Sequence, residues 1–248
     1  MQKTNIETFI KKYNLNGLVD EVCWAVENKT LRVTARTKDR KFMTSIIDKK
    51  FDGLPDAEFG IIDSKKLKQM LGILISDDVN LTLVSAEDDP KRIISFVVDD
   101  GKSEISHMCA HLDVIPDEPK IKQLPNYEVE LVINAEFIER FQAAKKGLSE
   151  EVLFTVLTNK KKNTLQLVLG HSRNASHFAS IPVFPVNGKD TIKDPISFSS
   201  NQLKEILDAN SEFKDPILKI SEAGLAFIEF DSPEFQCQYY MIKMDPED

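Results

Sequence analysis

Apolar residues recur along this chain with two alternating periods, and the switches between them lay out its elements. In Asn5–Tyr13, Ile6, Phe9, Ile10 and Tyr13 share one helical face, with Lys11 and Lys12 opposite, which predicts a short amphipathic helix. Alternation then predicts strands at Glu21–Val26, Leu31–Arg36 and Phe42–Ile47, divided by Asn28-Lys29 and the charged turn Lys38–Lys41, and a fourth at Asp56–Ile62. The helical period returns in Ser64–Ile75, where Leu67, Met70, Leu71, Leu74 and Ile75 form the stripe and Asp63 is placed to cap. Strands at Asn80–Val84, Arg92–Val98 and Glu104–Leu112 complete the half.

The second half repeats this order. A strand at Tyr127–Ile133 leads through the cap Asn134 into a helix at Ala135–Gly147, with Phe137, Phe141, Ala144 and Leu148 inward. Strands follow at Val152–Thr158, Leu165–Leu169 and His177–Val183, then a loop marked by Pro185, Gly188 and Pro195. Ile196–Phe198 is a short strand, Ser200–Ala209 a helix, and Ile217–Ile220, Leu225–Phe230 and Phe235–Ile242 the last strands before the acidic tail Asp245–Asp248. The plan is strand, helix, three strands, given four times, as a repeat of element order without visible residue identity. It predicts an α+β fold.

The stretch Asp113–Tyr127 lies between the halves and carries Pro116, Pro119 and Pro125 with no helical or alternating period. Proline fixes φ and removes an amide donor, which disfavours a helix or central strand. The stretch reads as an extended connector, giving an N-terminal domain at 1–112, a connector at 113–126 and a C-terminal domain at 127–248. The alternative is a long loop inside a single domain, a rarer arrangement.

Composition narrows the class. The chain has 248 residues, 42% of them hydrophobic, so either one large or two ordinary domains could bury a core. Met1–Tyr13 is polar and interrupted by lysines, unlike a secretory leader, and no long apolar run follows, so a soluble, cytoplasmic protein without membrane attachment is expected. Cys23, Cys109 and Cys237 are odd in number and far apart, which points to reduced thiols.

The formal net charge of −8 disfavours nucleic acid at face value. Its distribution does not. The four predicted helices hold nine basic residues against five acidic ones, so the cations are segregated onto helices while strands and loops are acidic. Lys65, Lys66 and Lys68 crowd the first turns of one helix, where the macrodipole opposes them by ~0.3–1 kcal/mol each, so another interaction should favour them there. Ser200–Ala209 departs from the pattern, with Glu205 and Asp208 outweighing Lys204.

Catalytic signatures are missing: the sequence has no Gly-rich phosphate loop, GxSxG, HExxH or EF-hand pattern. His107, Cys109 and His111 alternate and would share one strand face, as weak zinc candidates or as side chains at an interface. No enzyme activity, metal or cofactor is expected.

At four anchors the chain resembles the sliding clamps, the ring-shaped processivity factors of DNA polymerases, of the two-domain type found in tailed phages and in proliferating cell nuclear antigen. The anchors are FIKKY at Phe9–Tyr13, FGIIDSKKLKQML at Phe59–Leu71, NYEVELVINAEF at Asn126–Phe137, and GLAFIEFDSPEFQCQYYMIKM at Gly224–Met244. The look is closer to the phage branch. The resemblance implies the DNA clamp fold, two similar domains each of two strand-helix-three-strand units. Three subunits would close into a ring, helices lining the hole and antiparallel sheets outside.

What the resemblance implies for residues is equally specific. Lys11, Lys12, Lys65, Lys66 and Lys68, with Arg140, Lys145 and Lys146, would face DNA. Contacts confined to phosphate carry no sequence information and permit sliding. Edge strands at Glu104–Leu112 and His177–Val183 would pair between subunits, placing His107, Cys109, His111, His177, Phe178 and Ile181 at the interface. Met43, Leu124, Tyr127, Leu225, Tyr240 and Ile242 would form the pocket that takes partner peptides, although core packing also accounts for Tyr240 and Ile242. The implied partners are double-stranded DNA, a DNA polymerase, a clamp loader and the chain itself as a homotrimer, with transcription factors added by the phage relatives and a host-cell cytoplasm as the location. The competing reading is a β-rich structural or assembly protein of a virus.

Overall fold

The computed structural model describes residues 1–119, 124–159, 164–171, 177–187 and 191–245. The middle of the expected connector, Gly188 of the expected loop and the last three residues of the acidic tail lie outside them. Two compact units divide the chain: unit 1 is Met1–Thr37, Met43–Lys120 and Asp231–Cys237, and unit 2 is Lys38–Phe42, Ile121–Phe230 and Gln238–Asp248.

Unit 1 begins with helix α1 (Lys3–Asn14) and strands β1 (Val22–Glu27), β2 (Thr30–Arg36) and β3 (Phe42–Asp48). Strand β4 (Ala57–Ile61), helix α2 (Ser64–Leu71) and strands β5 (Asn80–Ser85), β6 (Ile93–Asp99) and β7 (Glu104–Met108) follow. The sheets are antiparallel, in the orders β3-β2-β1-β4 and β5-β6-β7. Trp24, on β1, is the hub of the core. Its ring meets Phe9 of α1 edge-on at 5.4 Å, Phe59 of β4 at 5.7 Å and Phe96 of β6 at 5.6 Å. One aromatic thereby ties the first helix to both sheets, and such pairs add about 0.5–1.5 kcal/mol beyond the area they bury.

Unit 2 repeats the order with β8 (Val129–Val132), α3 (Ala135–Gly147), β9 (Leu153–Asn159), β10 (Thr164–Leu169), β11 (Ala179–Pro182), β12 (Phe184–Pro185), β13 (Ile196–Ser199), α4 (Ser200–Ala209), β14 (Ile217–Ser221), β15 (Leu225–Asp231) and β16 (Phe235–Ile242), of which Asp231 and Phe235–Cys237 belong to unit 1. Its strand orders are β12-β8-β14-β15-β16 and β11-β10-β9-β13. Phe137 and Phe141 of α3 stack at 5.9 Å, and Phe141 continues edge-on to Phe154 of β9. The α+β class and the alternation of helix with antiparallel strands are as the sequence predicts.

Four details differ. The first copy of the repeat has no leading strand, only a single bridge from Gln2 to Asp78. Helix α2 stops at Leu71, so Ile75 lies beyond it and is 87% exposed, while Leu74 is buried from the following turn. Strand β7 ends at Met108: Ala110 bridges to Gly60 of β4, and a 3₁₀ turn at Leu112–Val114 takes over. Gly60 permits that approach, since a Cβ there would stand 2.8 Å from the Ala110 carbonyl. Phe184–Pro185, expected as loop, pairs with β8 at the sheet edge, where a proline's missing amide is tolerated.

Candidate nucleic-acid interface

The start of α2 is the most constrained polar site in unit 1. Asp63 caps the helix from a left-handed backbone (φ 59°), its carboxylate accepting from the Lys66 amide at 2.8 Å. Asp20 accepts from the Lys65 amide at 3.1 Å. Beneath them, Ser64 Oγ donates to the Asp20 carbonyl and accepts from the Tyr13 hydroxyl, which in turn accepts from the Trp24 indole. Burial pushes the Tyr13 phenol well above its ordinary value and keeps it a donor.

This anchoring fixes what the rest of the helix presents. Ser64, Leu67 and Leu71 turn inward, leaving Lys65, Lys66 and Lys68 exposed. None of the three ammonium groups has an ion pair or hydrogen bond among the described residues. Lys11 of α1 is likewise exposed and unpaired among them.

Lys12 corrects the sequence expectation. It is fully buried, its ammonium 5.2 Å from the centroid of the Phe235 ring, so it cannot reach a phosphate outside the unit. Lys145 is the second correction. Only 6% exposed, it donates to the Ser149 and Glu151 carbonyls at 3.1 and 2.6 Å and closes the end of α3. Burial lowers the pKa of its ammonium, partly offset by Glu150 and Glu151. Arg140 is exposed but paired with Glu136 one turn away at 2.8 Å, and Lys146 is exposed and unpaired among the described residues. On α4, Lys204 pairs with Glu205 and Asp208 at 3.0 and 2.8 Å.

β7 and β11 are edge strands, each at one end of its sheet, with β5 and β13 at the opposite ends. Met108, on β7, is 80% exposed, and Phe178, just before β11, is 68% exposed. Of the expected interface residues, His107 and Ile181 point into the cores of their own units, Cys109 is half-buried, and His111 and His177 are exposed. His111 lies past the end of β7, so the three alternating side chains do not share a strand face. Among the described residues no group of three or more His, Cys, Asp or Glu side chains could hold a metal. Burial pushes the Cys109 thiol up to about 12, and burial with Glu58 and Glu118 pushes Cys23 up to about 11, which leaves neither nucleophilic at neutral pH.

The expected partner-pocket residues divide between the units: Met43 belongs to unit 1 and is half-buried, and the other five belong to unit 2. Tyr127 and Tyr240 both pack against Phe227, with ring centroids 6.0 and 4.8 Å from it. Phe227 is not among the pocket residues that the sequence predicts. Its signal was the alternation of β15, which turns Ala226, Ile228 and Phe230 inward and Phe227 to the other face. Tyr240 is itself buried, and burial, followed by Tyr127 and Glu229, pushes its phenol up to about 12. The Tyr127 hydroxyl is buried without a hydrogen-bond partner among the described residues. Leu124 and Ile242 are exposed beside this trio in sequence, and Leu225 is half-buried.

Two units of matching element order, each with paired helices and antiparallel sheets, define a fold of the DNA clamp class. Among solved structures the chain is similar to the proliferating cellular nuclear antigen of Entamoeba histolytica, with a TM-score of 0.68 over 98% of this chain and 96% of that one. Sequence identity is 14%, so the likeness is one of fold. No protein-family model and no curated protein matches the sequence.

Proposed function

We propose that this protein is a sliding clamp: a homotrimeric ring that encircles duplex DNA, tethers the replicative polymerase as a processivity factor and is opened by a clamp loader. The observation that carries this reading is the clamp fold extending over 98% of the chain. In this reading the domains are 1–112 and 127–248, joined by the connector 113–126, and the exposed lysines of the helices face the hole. The proposed phosphate contacts are Lys11, Lys65, Lys66 and Lys68, which are exposed on α1 and α2. Such contacts position without specifying sequence and permit sliding.

The edge strands β7 and β11 suit head-to-tail pairing between copies, with backbone hydrogen bonds as the glue and Met108 and Phe178 covered alongside. Tyr127, Phe227 and Tyr240, with Leu124, Leu225 and Ile242, all of unit 2, are proposed to take the aromatic and aliphatic anchors of partner peptides from the polymerase, the loader and, in a phage setting, transcription factors. The protein itself is proposed to be non-catalytic and to work in the cytoplasm, that of the host cell if it is viral. No helix among the described residues is long and apolar enough to cross a membrane.

Two measurements test this. Sedimentation should give a species of three times 28.1 kDa, and a monomer at micromolar concentration opposes the ring. Protein loaded on nicked circular DNA should survive a high-salt wash and be lost when the circle is linearised, because only a topological link resists salt. Equal loss from circles and linear DNA overturns the reading.

A further inference from the structure

We infer that the attraction for DNA in this protein is carried by the helices of unit 1 alone, and that the helices of unit 2 present an electrically neutral surface to the duplex. The inference rests on the clamp reading above and sharpens it.

The helix charges divide sharply. Helices α1 and α2 hold Lys3, Lys11, Lys12, Lys65, Lys66 and Lys68 against a single acid, Glu7. Helices α3 and α4 hold Arg140, Lys145, Lys146 and Lys204 against Glu136, Glu139, Glu205 and Asp208. What each cation touches widens the contrast. In unit 1, Lys3 donates to the Leu74 carbonyl and Lys12 is buried, yet Lys11, Lys65, Lys66 and Lys68 remain exposed and unpaired among the described residues. The nearby acids Asp20 and Asp63 are committed to backbone amides at the start of α2.

In unit 2, Arg140 and Lys204 stand within 3.0 Å of carboxylates, and Lys145 is turned inward to carbonyls. Only Lys146 is left, with Glu139 exposed on the same helix. At physiological salt, charges are screened over about 8 Å, so a phosphate approaching α3 and α4 meets close pairs that cancel, whereas one approaching α2 meets three separate positive charges.

The test is equilibrium binding of a fluorescein-labelled, mixed-sequence 30-base-pair duplex, followed by anisotropy between 50 and 200 mM salt. The proteins compared are the unsubstituted chain, the triple variant K65A/K66A/K68A and the double variant R140A/K146A, each checked for unchanged sedimentation and thermal unfolding. The triple variant is expected to lose at least tenfold in affinity at 50 mM, with its log–log salt slope shallower by roughly 0.9 for each lysine that had touched phosphate. The double variant is expected to change less than twofold. Equal losses in both variants, or no loss in the triple, overturn the inference and leave the clamp reading standing. If the unsubstituted protein neither binds the duplex nor stays on circular DNA, the reading and the inference fall together.

Discussion

The Tyr13 hydroxyl lies 2.9 Å from Ser64 Oγ, joining the last turns of α1 to the first residue of α2 inside the core of unit 1. The bond continues a buried chain from the Trp24 indole to the Asp20 carbonyl. The exposed lysines of α2 therefore sit on a helix whose start is held from below by hydrogen bonds and from above by two aspartate caps. Their placement follows from core packing, and their cost against the helix dipole is borne by that packing.

Replacing Tyr13 by Phe keeps the ring contacts with Phe9 and Trp24 and removes one oxygen. The Trp24 N–H is then buried without an acceptor, which costs about 1–3 kcal/mol. Denaturant unfolding of Tyr13→Phe should show a lower midpoint at unchanged slope; an unaltered midpoint would show that the chain of bonds contributes nothing.

Substitutions at Asp63 should follow the order Asn, Gly, Ala from mildest to most damaging. Asparagine keeps a capping oxygen and tolerates a positive φ, glycine keeps only the backbone freedom, and alanine loses both, with the missing cap alone costing about 1 kcal/mol. Thermal unfolding of the three variants checks the order. If Ala proves milder than Gly, the left-handed conformation of residue 63 is not what matters there.

On the clamp reading proposed above, Tyr240→Ala and Phe227→Ala should each weaken binding of a replicative polymerase by about 2 kcal/mol, because buried aromatic anchors dominate such interfaces. Calorimetric titration of the protein with purified polymerase is the measurement. Normal affinity in both variants would confine the trio Tyr127, Phe227 and Tyr240 to a packing role.

His107 sets a pH dependence. Its side chain is 6% exposed, one ring nitrogen meets the Ile62 backbone, and Nε2 is buried without a partner among the described residues. Burial lowers its pKa below the ordinary 6.5, with the Ile62 contact and Asp63 acting in the other direction. The unfolded chain therefore binds a proton on this residue at a higher pH than the folded one. Stability from His107 is full above about pH 6.5 and is lost as pH falls through the folded-state value. His107→Leu should flatten the stability profile below pH 6.5 relative to the unsubstituted protein. Parallel profiles would remove His107 as the cause.

The starts of α2 and α3 are legible because their signal is a single short side chain: Asp63 and Asn134 both cap where the sequence places them, whereas α1 begins at Lys3 without a side-chain cap, two residues before the expected Asn5. Helix ends are less so. Leu74 continues the apolar period of α2 from a turn outside the helix, and periodicity cannot distinguish the two. The resemblance implies DNA-facing roles for Lys12 and Lys145, but their helical phase points inward: Lys12 is three residues from Phe9, and Lys145 four from Phe141, so each sits on the apolar stripe. Phe227 was missed because an outward strand position becomes buried only through neighbours on other strands, and no local pattern encodes those. Phe184–Pro185 read as loop because proline signals a break, although an edge strand accepts it.

Trp24 is the chain's single tryptophan, and it is wholly enclosed at the crossing of α1 with both sheets of unit 1. Its ultraviolet emission is therefore a private optical gauge of that unit: a red shift on heating or in urea reports the moment water reaches the base of the lysine-bearing helix. Unit 2 holds no such fluorophore and melts invisibly in that channel. Comparing emission with circular dichroism thus separates the two halves without a label.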